Sequence, residues 1–395
     1  MTAIDHHANG IVIVGGGLAA VCIAEQLRKA GYRGTVTIFG DENHMPYDRP
    51  PLSKEVLHSA SAAVPLRPST FYGENDITVQ LGRKAVGLDT NAHAVIFADG
   101  AVVAYDQLVV ATGLVPKHLS SFLPLEGIHV LRTLEDALAL RAHAAETHRA
   151  VIVGAGFIGC EVAASLRRLA VDVVLVEPQS APLATVLGEP IGRLLARLHR
   201  AEGVDVRLGV GVCDVSGGRH VEKVVLTDGT QVETCLVVVG VGSRPATDWL
   251  RDSGVVVANG VICDVNGRTT ISNVWALGDV ASWPDVTGAP VRVEHWSNVA
   301  AQARVTAAAI LGHEPPASTV VPYFWSHQYD LAIQCLGDPR ATDIVHLVED
   351  DGRKFLAYYE RDGRIAAVVG AGMPNKVIKT RTKIAAAAAI SEILG

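Results

Sequence analysis

Two stretches of this chain repeat one design. Ile11-Val12-Ile13-Val14 runs into Gly15-Gly16-Gly17-Leu18-Ala19-Ala20, and Val151-Ile152-Val153 runs into Gly154-Ala155-Gly156-Phe157-Ile158-Gly159. The apolar, mostly β-branched runs read as strands buried on both faces of a parallel sheet. In each unit the first glycine permits a tight turn. The second has no Cβ, so a pyrophosphate can approach the backbone. The small residue at the third position, Ala20 or Gly159, lets the next helix pack close to the strand. Helices are expected over Val21–Ala30 and Cys160–Leu169, with free N–H groups and a partial positive charge at their N-termini for phosphates. A second strand follows in both cases: Thr35–Phe39 with Asp41 beyond it, and Val173–Val176 ending at Glu177. Glu177 stands at about 20 residues, the spacing of an acid that binds a ribose diol. One such fingerprint is weak evidence. Two in one chain imply two dinucleotides and an α/β fold with two Rossmann-like domains.

A chain of 395 residues is too long for one ordinary core, so two or three domains are expected. Lys and Arg total 34 against 41 Asp and Glu, a net charge of −7, which argues against general affinity for nucleic acid. Met1 to Gly10 has no basic region or long apolar run, so no signal peptide is expected, and no apolar run approaches a membrane span. The alanines Ala385–Ala389 read as part of a C-terminal surface-to-core helix. Cys22, Cys160, Cys213, Cys235, Cys263 and Cys335 form no Cys-x-x-Cys pair, so neither zinc nor a redox dithiol is signalled. Reduced, structural cysteines in a cytoplasmic protein are expected. His6, His7, His44, His58, His118, His129, His295, His313 and His327 show no metal-ligand spacing.

Between the two fingerprints lies Pro46-Tyr47-Asp48-Arg49-Pro50-Pro51-Leu52-Ser53-Lys54, whose prolines forbid regular helix or strand and imply a rigid loop carrying Arg49 and Lys54. Strands are expected at Ile77–Leu81, Ala85–Leu88, Ala94–Phe97 and Tyr105–Thr112, the last ending in Ala111-Thr112-Gly113. Thr133 is a candidate N-cap for a helix to Glu146, with Asp136 at N3. After the second fingerprint come a helix at Pro190–Glu202, a hairpin around Asp228-Gly229, and Leu236–Val239 running into Gly240-Val241-Gly242. A strand near Val274 delivers Gly278-Asp279 into a site. A long helix is expected at Ser297–Leu311, a linker at Gly312–Ser318, and alternating strands at Leu331–Gln334, Ile344–Val348 and Lys354–Tyr359.

With these motifs in hand, the chain resembles the FAD-dependent, NADH-using reductases that feed ferredoxins or rubredoxin in Rieske dioxygenase and cytochrome P450 systems, a class that also includes apoptosis-inducing factor. The Pro46–Lys54 segment carries the resemblance most specifically, supported by Gly278-Asp279, Glu294 to Gln302, and Phe324-Trp325-Ser326. It implies a glutathione-reductase-like arrangement: a discontinuous FAD domain (1–114 and 243–312), an NAD domain (115–242), and a C-terminal α+β domain (319–395). It also implies site residues. Gly15, Gly17 and Ala20 would cradle the FAD pyrophosphate, with Asp41 on the adenosine ribose and Asp279 at the ribityl–pyrophosphate end. Arg49, Lys54, Ala111, Thr112, Gly113, Gly278, His295 and Trp296 would line the FAD. Gly154, Gly156, Gly159, Glu177 and Gly242 would hold NADH. Glu161 matches the family acid that pairs with Lys54. Three positions depart from the family: His327 stands where Asp is common, His295 where a small polar residue is usual, and Lys117 where Arg is frequent.

NADH delivers two electrons as a hydride and an iron–sulfur protein accepts one at a time, so the resemblance makes FAD the converter. By residue type alone, Lys54 is a solvated loop lysine and Glu161 an acid on a helix surface; the resemblance makes them a catalytic ion pair. Trp325 is either a packing residue or a ring set against the flavin or nicotinamide. An NADH oxidase or peroxidase needs a thiolate beside the flavin, and the Asp41–Lys54 loop has no cysteine. An NADH-sensing flavoprotein like apoptosis-inducing factor lacks support from a targeting segment. The expected partner is a small [2Fe–2S] ferredoxin serving a P450 or Rieske dioxygenase, met by a monomer or weak dimer. Lys376, Lys379 and Lys383 recur at helical spacing and, with Arg381, form a basic face where it could dock.

Overall fold

The computed structural model describes residues 10–59, 62–119, 125–285, 287–294, 296–316 and 321–395. They divide into two compact units. The first comprises Met1–Asp48, Val64–Val115 and Ser243–Val320; the second comprises Arg49–Ala63, Pro116–Gly242 and Val321–Gly395.

In the first unit the opening strand, Gly10–Val14, lies at the centre of a five-stranded parallel sheet. Thr35–Phe39 and then Ile77–Gln80 lie on one side, and Gln107–Val110 and then Val274–Ala276 on the other. Its unbroken apolar run follows from burial on both faces. Ile11 and Ile13 pack with Ile23, Ala24 and Leu27 of the helix Leu18–Lys29, whereas Val12 and Val14 pack with Phe39, Phe97 and Leu108. Each such side chain taken fully from water contributes on the order of 1.5–3 kcal/mol. A three-stranded antiparallel meander, Ala85–Asp89, Ala94–Phe97 and Val102–Ala104, completes that second core.

The second unit repeats the plan. Arg149–Val153 is the central strand, flanked by Asp172–Glu177 and Asp205–Leu208 on one side and by Leu236–Val239 and Ile128–His129 on the other, all parallel. Ile152 packs with Cys160, Ala163 and Leu166 of the helix Phe157–Arg168, and Val151 and Val153 pack with a meander built from Val212–Ser216, Lys223–Leu226 and Gln231–Glu233. Thr133 caps the helix Leu134–Ala144 in a complete capping box with Asp136. The same unit carries a five-stranded antiparallel sheet in the order Tyr323–Gln328, Leu331–Gly337, Arg364–Ala371, Phe355–Arg361, Ile344–Asp350. Its inner face packs on the helix Ala184–Ala201 through Phe324, Phe355, Tyr359 and Val369 against Leu187, Ile191 and Leu195. That helix is broken at Gly188 (φ 75°), so the regular stretch begins beside Pro190, in the first turn where proline is tolerated.

The structure departs from the sequence expectations at three places. The helices after both glycine loops start at Leu18 and Phe157, three residues earlier than expected, because Gly17 and Gly156 are themselves the N-caps. The proline-rich segment is not merely a loop: Pro50–Ser53 is a 3-10 turn leading into the short helix Glu55–His58. The C-terminal basic run is not one helix but two, Pro374–Lys379 and Arg381–Ala385. The alanines after it are not helical. Ala387 is left-handed (φ 45°), and the chain turns back to pair Ala389 with Arg364. There the Arg364 guanidinium donates to Ala387 O, and Ile365 N donates to Ala388 O, taking carbonyls that a continued helix would have used.

Candidate functional site

In the first unit the glycine loop is shaped by contacts that exclude side chains. Gly15 is left-handed (φ +126°), and a Cβ there would lie 2.2 Å from Ala111 O; at Gly17 a Cβ would meet nothing within 4 Å. The helix that follows has no side-chain cap and no acid in its first turn. Its leading N–H groups therefore have no side-chain acceptor, which leaves them for an anion. Ala20 is buried. Gly278 approaches that helix so closely that a Cβ would lie 2.8 Å from Ala19 Cβ, and Gly278 N donates to the buried Gln302 Oε1 at 2.8 Å. This holds Asp279, in the 3-10 turn Gly278–Val280, beside the start of the helix. Thr112 Oγ1 donates to Ala246 O (2.8 Å) next to Gly113, itself left-handed at φ +66°. Asp41 is exposed, 3.5 Å from Lys84 Nζ. Trp296 opens the helix Trp296–Ile310 and is half exposed. His295 lies outside the described residues, as do His6 and His7.

The second loop has the same construction. Gly154 is left-handed (φ +98°), a Cβ on Gly159 would lie 2.0 Å from Gly154 O, and a Cβ on Gly156 would meet nothing within 4 Å. The Phe157–Arg168 helix also lacks a side-chain cap and an acid in its first turn. Glu177, at the end of its strand, aims its carboxylate back at the loop, accepting from Ala155 N at 2.7 Å and Gln179 N at 2.9 Å. Gly242 (φ +95°) accepts from Lys117 N through its carbonyl at 3.0 Å. The residues of both loops fit a bound dinucleotide phosphate: space at Gly17 and Gly156 where a side chain would otherwise stand, and a helix N-terminus with no side-chain cap beside it.

The structure also brings together residues far apart in sequence. Lys54 and Glu161 are only 7% and 4% exposed, and Lys54 Nζ lies 2.6 Å from Glu161 Oε2. The reading of two solvated charges by residue type is thus overturned. The prolines of residues 50–51 curl the chain so that Lys54 points inward, and Glu161 lies on the buried side of its helix. The ammonium also donates to Pro50 O (2.9 Å) and Ser53 Oγ (3.2 Å), which fills its three N–H groups. The carboxylate accepts from Ser53 Oγ on Oε2 (2.5 Å) and from Ser326 Oγ on Oε1 (2.7 Å). Both charges are hydrogen-bonded throughout, the condition under which a buried ion pair is tolerated. Arg49 belongs to the same unit and donates to Arg132 O.

Ser53 and Ser326 were not singled out from the sequence. The strand Tyr323–Gln328 alternates strictly: Phe324, Ser326 and Gln328 are buried, whereas Tyr323, Trp325 and His327 are not. Two polar residues at period-two positions next to a buried Phe were the available signal. Trp325 lies on the opposite face from Ser326 and stacks on Tyr323, with centroids 5.7 Å apart. Of the basic tail, Lys376 pairs with Glu349 at 2.5 Å and Lys383 donates to Glu392 O at 3.0 Å, while Lys379 and Arg381 are exposed. Among the described residues no cluster of His, Cys, Asp or Glu could hold a metal, and no helix is long and apolar enough to cross a membrane.

Residues 9–303 match the family described as pyridine nucleotide-disulphide oxidoreductase, and residues 323–393 match one described as reductase C-terminal. The chain is 38% identical over 330 residues to the ferredoxin–NAD(+) reductase component of the p-cumate 2,3-dioxygenase system of Pseudomonas putida, covering 83% of this chain and 81% of that one. It is 36% identical over 372 residues to a rubredoxin–NAD(+) reductase of Ectopseudomonas oleovorans, covering 93% and 96%. Among solved structures, the covalent putidaredoxin reductase–putidaredoxin complex superposes with a TM-score of 0.91 at 30% identity, covering 97% of this chain and 94% of that one.

Proposed function

This chain belongs to the pyridine nucleotide-disulphide oxidoreductase family, and we propose that within it the protein is an FAD-dependent NADH:ferredoxin reductase serving a terminal oxygenase. The observation that carries the proposal is the pair of glycine cradles, each with an open N-cap glycine leading into an uncapped helix, in a chain similar throughout to reductases of ferredoxin and rubredoxin. FAD, when bound, supplies the conversion of a two-electron hydride donor into single electrons for an iron–sulfur acceptor.

The roles of the chain's own residues follow. Gly15, Gly17 and the first turn of the helix Leu18–Lys29 hold the FAD diphosphate, with Asp279 beside them and Asp41 for the adenosine ribose. Gly154, Gly156 and Gly159 hold the diphosphate of NADH. Glu177 takes its ribose hydroxyls and repels a 2′-phosphate, and the segment from Pro178 to Ala184 has no Lys or Arg to receive one. The resemblance assigns Lys54 to the flavin, where its ammonium, fixed by Glu161, Ser53 and Pro50, would supply a positive charge that does not have to reorganise. Lys379 and Arg381, the tail cations not tied to a neighbour by the contacts above, are the ones we assign to steering an acidic ferredoxin. A thiol-dependent oxidase or peroxidase fits less well. The Asp41–Lys54 loop holds no cysteine, and burial pushes the Cys22 thiol up to about 11.

The test is NADH-driven cytochrome c reduction. It should rise steeply on adding a [2Fe–2S] ferredoxin and produce no peroxide-dependent NADH consumption. Turnover indifferent to ferredoxin, with rapid peroxide consumption, would place the protein among the thiol-dependent peroxidases instead.

A further inference from the structure

The buried polar groups around Glu161 do not end at Ser326. Gln328, on the same strand face, donates from Nε2 to Ser326 Oγ at 3.2 Å, and its Oε1 lies 3.0 Å from His199 Nε2. His199 Nδ1 in turn lies 2.8 Å from the Tyr329 hydroxyl. Ser326, Gln328 and His199 are all at 0% exposure. Tyr329 sits in the two-residue turn between Tyr323–Gln328 and Leu331–Gly337 with φ 57°, a region that bulky L residues avoid. Its ring packs edge-on against His199, with centroids 5.4 Å apart, and its carbonyl accepts from Arg168. A strained aromatic turn is thus fastened onto a buried imidazole.

The proton inventory fixes the direction of every bond in this chain. Glu161, paired with Lys54, can only accept, so the single Ser326 proton goes to Glu161 Oε1. Ser326 must then accept from Gln328, which orients the amide with its NH2 toward Ser326 and its oxygen toward His199. That oxygen requires a proton on His199 Nε2. Burial pushes the imidazole down to about 4, so at neutral pH the ring has one N–H, and Nδ1 is left to accept from the Tyr329 hydroxyl.

We propose that His199, Gln328 and Ser326 form a one-way donor chain, anchored by Tyr329, that positions the Glu161 carboxylate on Lys54. These are positioning residues: none needs to touch a cofactor. What they control is whether the Ser326 proton stays committed to Oε1, and so whether the carboxylate keeps its rotation and Lys54 its place. The proposal rests on the reading of Lys54 and Glu161 given above.

The tautomer is tested in the wild-type holoenzyme by 15N NMR with labelled histidine. The His199 signals should report a protonated Nε2 and a bare Nδ1; the opposite tautomer would overturn the chain. The function is tested by stopped-flow reduction of bound FAD by NADH in two variants of the same site. In His199→Gln the amide nitrogen can reach the Nε2 position. In His199→Asn it reaches only the Nδ1 position. His199→Asn should slow flavin reduction by about 3- to 10-fold, the scale set by losing one hydrogen bond between neutral groups, with the Kd for NADH unchanged. His199→Gln should restore the rate to within about 2-fold, although both variants lose a similar Tm. Equal rates in the two variants, fast or slow, refute the relay, because packing alone does not distinguish them. Ser326→Ala removes one atom and should reproduce the His199→Asn rate. Lys54→Met separates the two layers of argument. If it is slow beside a normal His199→Asn, the ion pair stands and the relay falls. If Lys54→Met is reduced at the wild-type rate, the reading of the pair falls and the relay with it.

Discussion

Removing one member of the Lys54–Glu161 pair should cost far more than an ordinary surface charge change, and the structure says why. The two groups lie 2.6 Å apart with 7% and 4% of their surfaces exposed, so water can neither screen the pair nor solvate a survivor. Breaking a buried pair by deleting one partner costs about 3–5 kcal/mol. Glu161→Gln belongs at the upper end. It keeps the shape but leaves the Lys54 ammonium among Pro50 O, Ser53 Oγ and a neutral amide. Lys54→Met belongs at the lower end, because the remaining carboxylate still accepts from Ser53 and Ser326. In a unit of roughly 200 residues, where each kcal/mol moves Tm by about 2–4 °C, the single variants should melt about 6–20 °C below wild type. The double variant Lys54→Met/Glu161→Gln removes both charges. It should be about 2–3 kcal/mol better than the sum of the singles, a coupling expected only for groups in contact. The assay is denaturant and thermal unfolding of the four proteins in a double-mutant cycle. If each single variant loses less than about 1 kcal/mol and the losses add, the pair is solvated in solution and its assignment as a fixed charge fails.

The two glycines of the first loop should separate folding from cofactor binding. Gly15→Ala drives a Cβ to 2.2 Å from Ala111 O at positive φ and should prevent stable folding, whereas Gly17→Val should fold but purify with much less than the one FAD per chain expected of the wild type, as absorbance at the flavin band will report. Glu177→Ala should narrow the preference for NADH over NADPH by at least about 10-fold in kcat/KM, and a wild type without preference would remove Glu177 from the ribose site. Lys379→Glu should raise the ferredoxin KM and flatten its salt dependence while leaving ferricyanide reduction unchanged; unchanged ferredoxin kinetics at low salt would move docking elsewhere. His199 should make the protein acid-sensitive. Its folded value of about 4 lies below the ordinary 6.5, so the unfolded chain binds the extra proton first, and stability present above pH 6.5 is lost as pH falls toward 4. Between pH 7 and pH 5 wild type should lose about 2 kcal/mol more than His199→Gln, by urea unfolding.

Much of the scaffold was legible because it rests on local rules. The opening strand and the strand Leu236–Val239 advertise burial on both faces by unbroken runs of Val, Ile and Leu. The capping box at Thr133 and Asp136 marks its helix within one turn. The turns at Gly15 and Gly154 need a backbone that only glycine adopts without cost. The C-terminal tail departs from the helix its sequence suggests for a matching reason. Five alanines and a Lys spacing of three to four are strong helix signals, but propensity is a weak prior. Here the carbonyls of Ala387 and Ala388 are taken instead by Arg364 and Ile365, a tertiary competition that no local window contains.

The charged centre was illegible in a different way. By residue type alone, Glu161 is a lone acid on a helix, and Lys54 follows three prolines and a serine that suit a loop. Neither charge has a partner within a helical turn, and charges without a visible partner are correctly assigned to water. What reverses that assignment is a meeting of three segments separated by 107 and 165 residues: the proline turn, the middle of the second glycine-loop helix, and one face of the strand Tyr323–Gln328. The last of these did leave a trace. Ser326 and Gln328 occupy the inward positions of a strand whose inner neighbour is Phe324, where apolar residues would pack better. A polar residue placed where packing asks for an apolar one must be hydrogen-bonded, because leaving it unpaired costs several kcal/mol. Two of them in register therefore demand a buried polar partner supplied from elsewhere in the chain. Glu161 and His199 are those partners, so the breach of the apolar pattern on one short strand is a local sign in the sequence that a buried charge had to exist nearby.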